Sequence, residues 1–119
     1  MPQTLDIIDS QTVEEFHLHG VTIVRGLFTP DEVALIARGI ERNLAEPSPM
    51  FKVASRPDDP GKFVEDFCNW QRIEEFRHIA FESRAADVAG ALMGSRIVQL
   101  YHDHMLVKET GTKQDKPWH

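Results

Sequence analysis

The chain holds a single cysteine, Cys68, so no internal disulfide can form and a disulfide-stapled fold is excluded. Such cysteine usage suits a reducing compartment, and a cytoplasmic location is expected. Basic residues are in deficit: 13 Lys and Arg stand against 19 Asp and Glu, a net charge of −6. Nucleic acids and anionic membranes both need a basic face, so neither is an expected partner. No apolar run approaches the roughly 20 residues that cross a bilayer. The opening stretch MPQTLDIIDS has no basic segment leading into an apolar one and does not read as a secretory signal. Internal repeats, low-complexity tracts, phosphate-cradling glycine loops, a G-x-S-x-G elbow and CxxC pairs are all missing.

What remains is an ordinary globular composition, 41% hydrophobic and 27% charged, in 119 residues. A chain of that length makes one modest domain and buries roughly 65% of its unfolded surface. DSQTVEEFHLHG reads as a short helix, capped by Asp9 or Ser10, stopped by Gly20, with Val13 and Phe16 on its apolar side. VTIVRGLF is β-branched and glycine-bounded, which predicts a strand over Val21–Arg25.

TPDEVALIARGIERNLAEPSP predicts the clearest helix. Thr29 is a good N-cap and Pro30 suits the first helical position. Asp31 and Glu32 favour the positive end of the dipole, and Val33, Ile36, Ala37, Ile40 and Leu44 recur at helical spacing. The Pro- and Asp-rich stretch from Met50 to Gly61 reads as loop. The aromatic segment FVEDFCNWQRIEEFRHIAFES reads as mostly helical after Asn69, and SRAADVAGALMG as a helix capped by Ser83 and stopped by Gly94. RIVQLYHDHMLVKE predicts a long strand, with Ile97, Gln99, Tyr101, Asp103, Met105 and Val107 on one face and Arg96, Val98, Leu100, His102, His104 and Leu106 on the other. Helices thus precede a sheet that has barely begun, the order of an α+β or β-rich domain; two strands alone would be marginal in water.

His102 and His104 share a strand face and could share a metal, with Glu109 following, an H-x-H-x4-E string that resembles the metal motif of cupins. The flanking glycines of that motif are out of place, and two solvated or hydrogen-bonded imidazoles are the plainer reading. Asp103 and Glu109 read as solvated or salt-bridged carboxylates. Cys68, in EDFCNWQ, reads as packing rather than a nucleophile, since no basic neighbour is visible to activate it. Phe16 and Phe28, and the set Phe63, Phe67, Trp70 and Phe76, read as core.

The stretches FHLHGVTIVRGLFTPDEV, EDFCNWQ and LYHDHMLVKETGTKQDKPWH together resemble the phytanoyl-CoA dioxygenase family of iron(II)- and 2-oxoglutarate-dependent oxygenases. The resemblance runs from Phe16 to His119. It implies N-terminal helices leading into a double-stranded β-helix, or jelly roll, incomplete within this chain. It places His119 at the first iron-binding histidine of an H-x-D motif, so the chain is expected to be the N-terminal part of one oxygenase domain, ending inside that motif. It places Met105 on the strand position that lines the 2-oxoglutarate pocket, and Lys62 near a lysine that contacts the co-substrate. It implies a small-molecule substrate in the full-length enzyme and no turnover by these residues alone, because the aspartate, the second histidine and the arginine clamp would all fall after His119. Two rival readings stay open: a cupin-like metal protein using His102, His104 and Glu109, and a non-enzymatic interaction module.

Overall fold

The structure, a computed structural model, describes residues 8–113. In chain order the elements are α1 (Ser10–His19), α2 (Pro30–Ala45), β1 (Lys52–Val53), β2 (Phe63–Phe67), α3 (Glu74–Glu82), α4 (Ala85–Met93) and β3 (His104–Lys108). This is a mixed α+β arrangement, as the sequence pattern implies.

Helix ends follow local chemistry. The Asp9 carboxylate accepts hydrogen bonds from the Thr12 backbone N–H and hydroxyl, both at 2.8 Å. Gly20, at φ 76°, ends α1 in the left-handed conformation that glycine adopts without steric cost. α2 opens with a full capping box: Thr29 Oγ1 accepts from the Glu32 N–H at 3.1 Å, and Glu32 Oε1 accepts from the Thr29 N–H at 2.9 Å. α4 ends at Gly94, but its N-cap is Arg84 without a side-chain cap. Ser83 sits at the joint instead, its hydroxyl donating to the Ile79 carbonyl of α3 while accepting from the Ala85 N–H.

The strands depart from expectation. Val21–Arg25 forms no strand: it connects α1 to the turn at Gly26, and Val21 and Ile23 are exposed. β-branched residues favour a strand only where a partner can take up the ladder hydrogen bonds, and among the described residues none pairs with this segment. The long strand expected over Arg96–Glu109 shrinks to His104–Lys108 for the same reason, because β2 is five residues long and β3 pairs along that length alone. Conversely, Phe63–Phe67 is a strand ahead of the helical stretch, and Lys52–Val53 is a short strand inside the expected loop. Helix α3 starts at Glu74, after a turn over residues 69–73.

The sheet has the order β1-β2-β3 and is antiparallel throughout. Val64 pairs with Val107 and Asp66 with Met105, which sets these four on one face. Phe63, Glu65 and Phe67 pair with Lys108, Leu106 and His104 on the other. α2 and α3 cover the first face: Ile36 and Ile40 of α2 and Phe76 and Ile79 of α3 face Met105 around a groove of about 350 Å³. α2 turns toward α3 with Gly39, because a Cβ there would sit 2.8 Å from the Phe76 ring. Its buried residues are therefore Gly39 and Asn43, while Val33 and Leu44 of the expected apolar stripe are exposed. The apolar core is small, comprising Phe63, Val64, Ile73, Val88 and Met105, and almost as many polar groups are buried with it: Asn43, Asp66, Asn69 and Glu75.

Candidate functional site

Two carboxylates organise the region where the three strands meet the helices. Asp66 on β2 is fully buried (0% exposed). Its oxygens accept from Asn43 Nδ2 of α2 at 2.8 Å, from the Ser48 N–H at 2.8 Å, from the Ser48 hydroxyl, and from the Phe67 N–H at 2.8 Å. Arg72 stands 3.9 Å away, and its Nε donates to Asn69 at 2.7 Å. Burial pushes the Asp66 carboxyl up, but these donors favour the anion more strongly and hold it at about 2. Asp103, just before β3, accepts from the backbone N–H groups of Asn69 and Trp70, each at 2.8 Å, while its carbonyl accepts from the Cys68 N–H at 3.0 Å. Asp103 is thus a half-buried anchor of the β2–α3 turn, not a solvated surface acid. That turn carries Cys68 in the left-handed conformation at φ 61°, and Cys68 is exposed rather than packed.

The helix-free face of the sheet carries a second set. His104 stacks on Phe67 with ring centroids 4.2 Å apart, and its Nε2 lies 3.1 Å from Glu65 Oε2. Lys52 of β1 lies 5.8 Å from the Phe67 ring centroid. His102 also lies against Phe67, at 6.5 Å, and shares a shallow groove of about 420 Å³ with Met50, Cys68 and Tyr101. His102 and His104 therefore share a face, as alternation requires. Among the described residues, however, no three His, Cys, Asp or Glu side chains converge on one point, so His102, His104 and Glu109 do not assemble a cupin-like centre.

Met105 is buried against α2 and α3 and lines their groove. Lys62 is exposed, and its carbonyl accepts from the Glu109 N–H at 2.8 Å, which extends the β2–β3 ladder by one step. Ladder parity sets Lys62 on the same face as Val64, Asp66 and Met105. Because Met105 pairs with Asp66, four residues from Lys62, the two are separated by roughly 13 Å along the strands. His119 lies outside the described residues. The sequence reading passed over Asp66, Asn43 and Ser48. Its available signal was a polar residue breaking an apolar pattern, Asn43 between Ile40 and Leu44 on α2 and Asp66 between Val64 and Phe67 on β2.

The family model for phytanoyl-CoA dioxygenase (PhyH) matches residues 16–119. The ectoine dioxygenase of Stutzerimonas stutzeri (strain A1501) is 28% identical over 114 residues, covering 94% of this chain and 37% of its own length. The chain therefore spans little more than a third of the curated relative it matches. No solved structure matches it. The match defines the class first: over residues 16–119 the chain follows the model of a dioxygenase family. The chain belongs to the phytanoyl-CoA dioxygenase family.

Proposed function

We propose that the chain is the N-terminal portion of an iron(II)- and 2-oxoglutarate-dependent dioxygenase, a hydroxylase of a small molecule working in the cytoplasm. Its sheet continues into a jelly roll, and neither nucleic acid nor membrane is a partner. The observation that carries this reading is the family match running without interruption through β3 and its turn to His119. The antiparallel sheet, covered by helices on one face and more open on the other, supports it, because a β-sandwich needs one face free to receive a second sheet. Among the described residues, no helix is long and apolar enough to cross a membrane.

His119 is the residue that would hold the metal, since imidazole is a donor suited to iron(II). Joined by a second imidazole and a carboxylate, it would hold an iron(II) that can activate dioxygen. The described residues add no cluster that would complete such a centre. Lys62 provides a cation suited to a carboxylate of 2-oxoglutarate, and Met105 provides apolar wall. Their separation along the strands means that only the extended Lys62 side chain, not its backbone, would reach a co-substrate resting near Met105. By themselves these residues supply one ligand of three and would not turn over 2-oxoglutarate.

The test is anaerobic titration of iron(II) into the intact gene product and its His119→Ala variant, with succinate release measured in air. Binding that depends on His119, with 2-oxoglutarate-dependent succinate release, is expected. The isolated 119-residue chain should release none. Succinate release by that short chain, or an intact product indifferent to His119→Ala, would overturn the reading.

A further inference from the structure

The sheet face that no helix covers is built unlike the inside of a β-sandwich. Inner faces of packed sheets are mostly apolar. This one carries Lys52 of β1, Glu65 and Phe67 of β2, and His104 and Lys108 of β3. Four rings follow one another across it. Tyr101 lies against His102 with centroids 4.9 Å apart, His102 against Phe67 at 6.5 Å, and Phe67 against His104 at 4.2 Å. Lys52 Nζ stands 5.8 Å from the Phe67 centroid. Three of these rings, with Met50 and Cys68, line a groove of about 420 Å³. Tyr101 is 93% exposed, so this ladder of rings is not core.

The polar groups differ in what they still have to satisfy. Glu65 faces His104, with Oε2 3.1 Å from Nε2. The side chains of Lys52 and His102 make ring contacts but, among the described residues, no hydrogen bond or ion pair. A second sheet packed here, as the functional reading requires, would bury a cation and an imidazole without partners, which folded proteins avoid. A ligand seated in the groove removes that penalty. The walls define its chemistry. Exposed rings suit a planar aromatic body, and the single Lys52 ammonium suits one anionic group.

We infer that this groove binds a small planar aromatic carboxylate, its ring against Phe67, His102 and Tyr101 and its carboxylate on Lys52. The site is made of described residues alone and needs no metal. That this ligand is the substrate rests on the functional reading above; that the groove binds it does not.

The experiment is equilibrium titration of the intact gene product with benzoate, benzyl alcohol and cyclohexanecarboxylate, without iron and with 2-oxoglutarate present to occupy the co-substrate position. Benzyl alcohol lacks the charge and cyclohexanecarboxylate lacks the π face. Each should bind about five- to tenfold more weakly than benzoate, as charge and stacking contributions of ordinary size imply. Lys52→Met keeps the stem and removes the ammonium. It should weaken benzoate about tenfold and leave benzyl alcohol within about twofold. His102→Ala should weaken both aromatic probes about fivefold. Both side chains are exposed, so the melting temperature should barely move. Equal affinity for benzoate and cyclohexanecarboxylate would overturn the inference. So would benzoate binding indifferent to both substitutions, or a product that binds none of the probes. Benzoate binding as expected, in a product whose succinate release is absent or ignores His119→Ala, would uphold the groove and sink the functional reading alone. His119-dependent succinate release without benzoate binding would do the reverse.

Discussion

Replacing Asp66 by alanine tests the central claim about how the helices are joined to the sheet. The substitution removes the acceptor for Asn43 Nδ2, the Ser48 N–H and the Ser48 hydroxyl at once. Asn43 is fully buried, so its amide finds no water, whereas the Ser48 hydroxyl can rotate to another acceptor. Each stranded buried donor costs about 1–3 kcal/mol, more where the lost partner was charged. Two such donors make the expected loss about 3–4 kcal/mol, a large part of the 5–15 kcal/mol that typically holds a domain together. The Arg72 pair, at 3.9 Å with a partly exposed guanidinium, adds little.

The same carboxylate predicts an acid limb. Its folded value of about 2 lies below the ordinary 3.8, so protonation is harder in the folded state than in the unfolded one. The stabilisation is therefore complete above pH 4 and is lost as pH falls toward about 2. That gap of nearly two pH units, at about 1.4 kcal/mol each, corresponds to about 2 kcal/mol. Urea unfolding followed by tryptophan fluorescence, at pH 7 and in steps from 4.5 to 2, measures both effects. Asp66→Ala within 1 kcal/mol of the parent at pH 7 would refute the argument. So would an Asp66→Asn variant that kept the parent's full loss of stability between pH 4 and 2, since that variant has no proton to take up.

Two further substitutions probe the local and the tertiary parts of the fold separately. Thr29→Ala deletes one half of the α2 capping box and should cost about 1 kcal/mol, with Thr29→Ser near neutral; equal urea midpoints for all three would show that the cap contributes nothing. Gly39→Ala adds a methyl 2.8 Å from the Phe76 ring, so overpacking of about 1–3 kcal/mol should outweigh the better helix propensity of alanine, and a raised melting temperature would refute the close α2–α3 approach.

The contrast between those two positions explains what could be read from sequence. Asp9, Gly20, Thr29 and Gly94 act on atoms within four residues of themselves, so the ends they set were legible without any partner. The approach of α2 to α3 could not be read that way: Gly39 looked like a weak point in a helix until Phe76 was seen against it. The proposed roles of His119 and Lys62 come from the family resemblance alone. Asp66 and Asp103 stand inside the same resembling stretches, but their hydrogen-bond partners were not readable from them.

The sequence by itself determined the α+β character, the four helices among the described residues and the acidic, disulfide-free composition, because helical periodicity, caps and charge are properties of neighbouring residues. Tertiary structure alone decided which extended segments became strands. Val21–Arg25 has the right residues but no strand partner among the described residues, whereas Phe63–Phe67 becomes the central strand because β1 and β3 lie on either side of it. It alone also decided that Asp66, Asn43 and Ser48 share one buried network across 18 to 23 positions of chain, and that Gly61 and Gly111 meet across two loops. A strand's hydrogen bonds and a buried carboxylate's donors come from elsewhere in the chain, and no local pattern records where that will be.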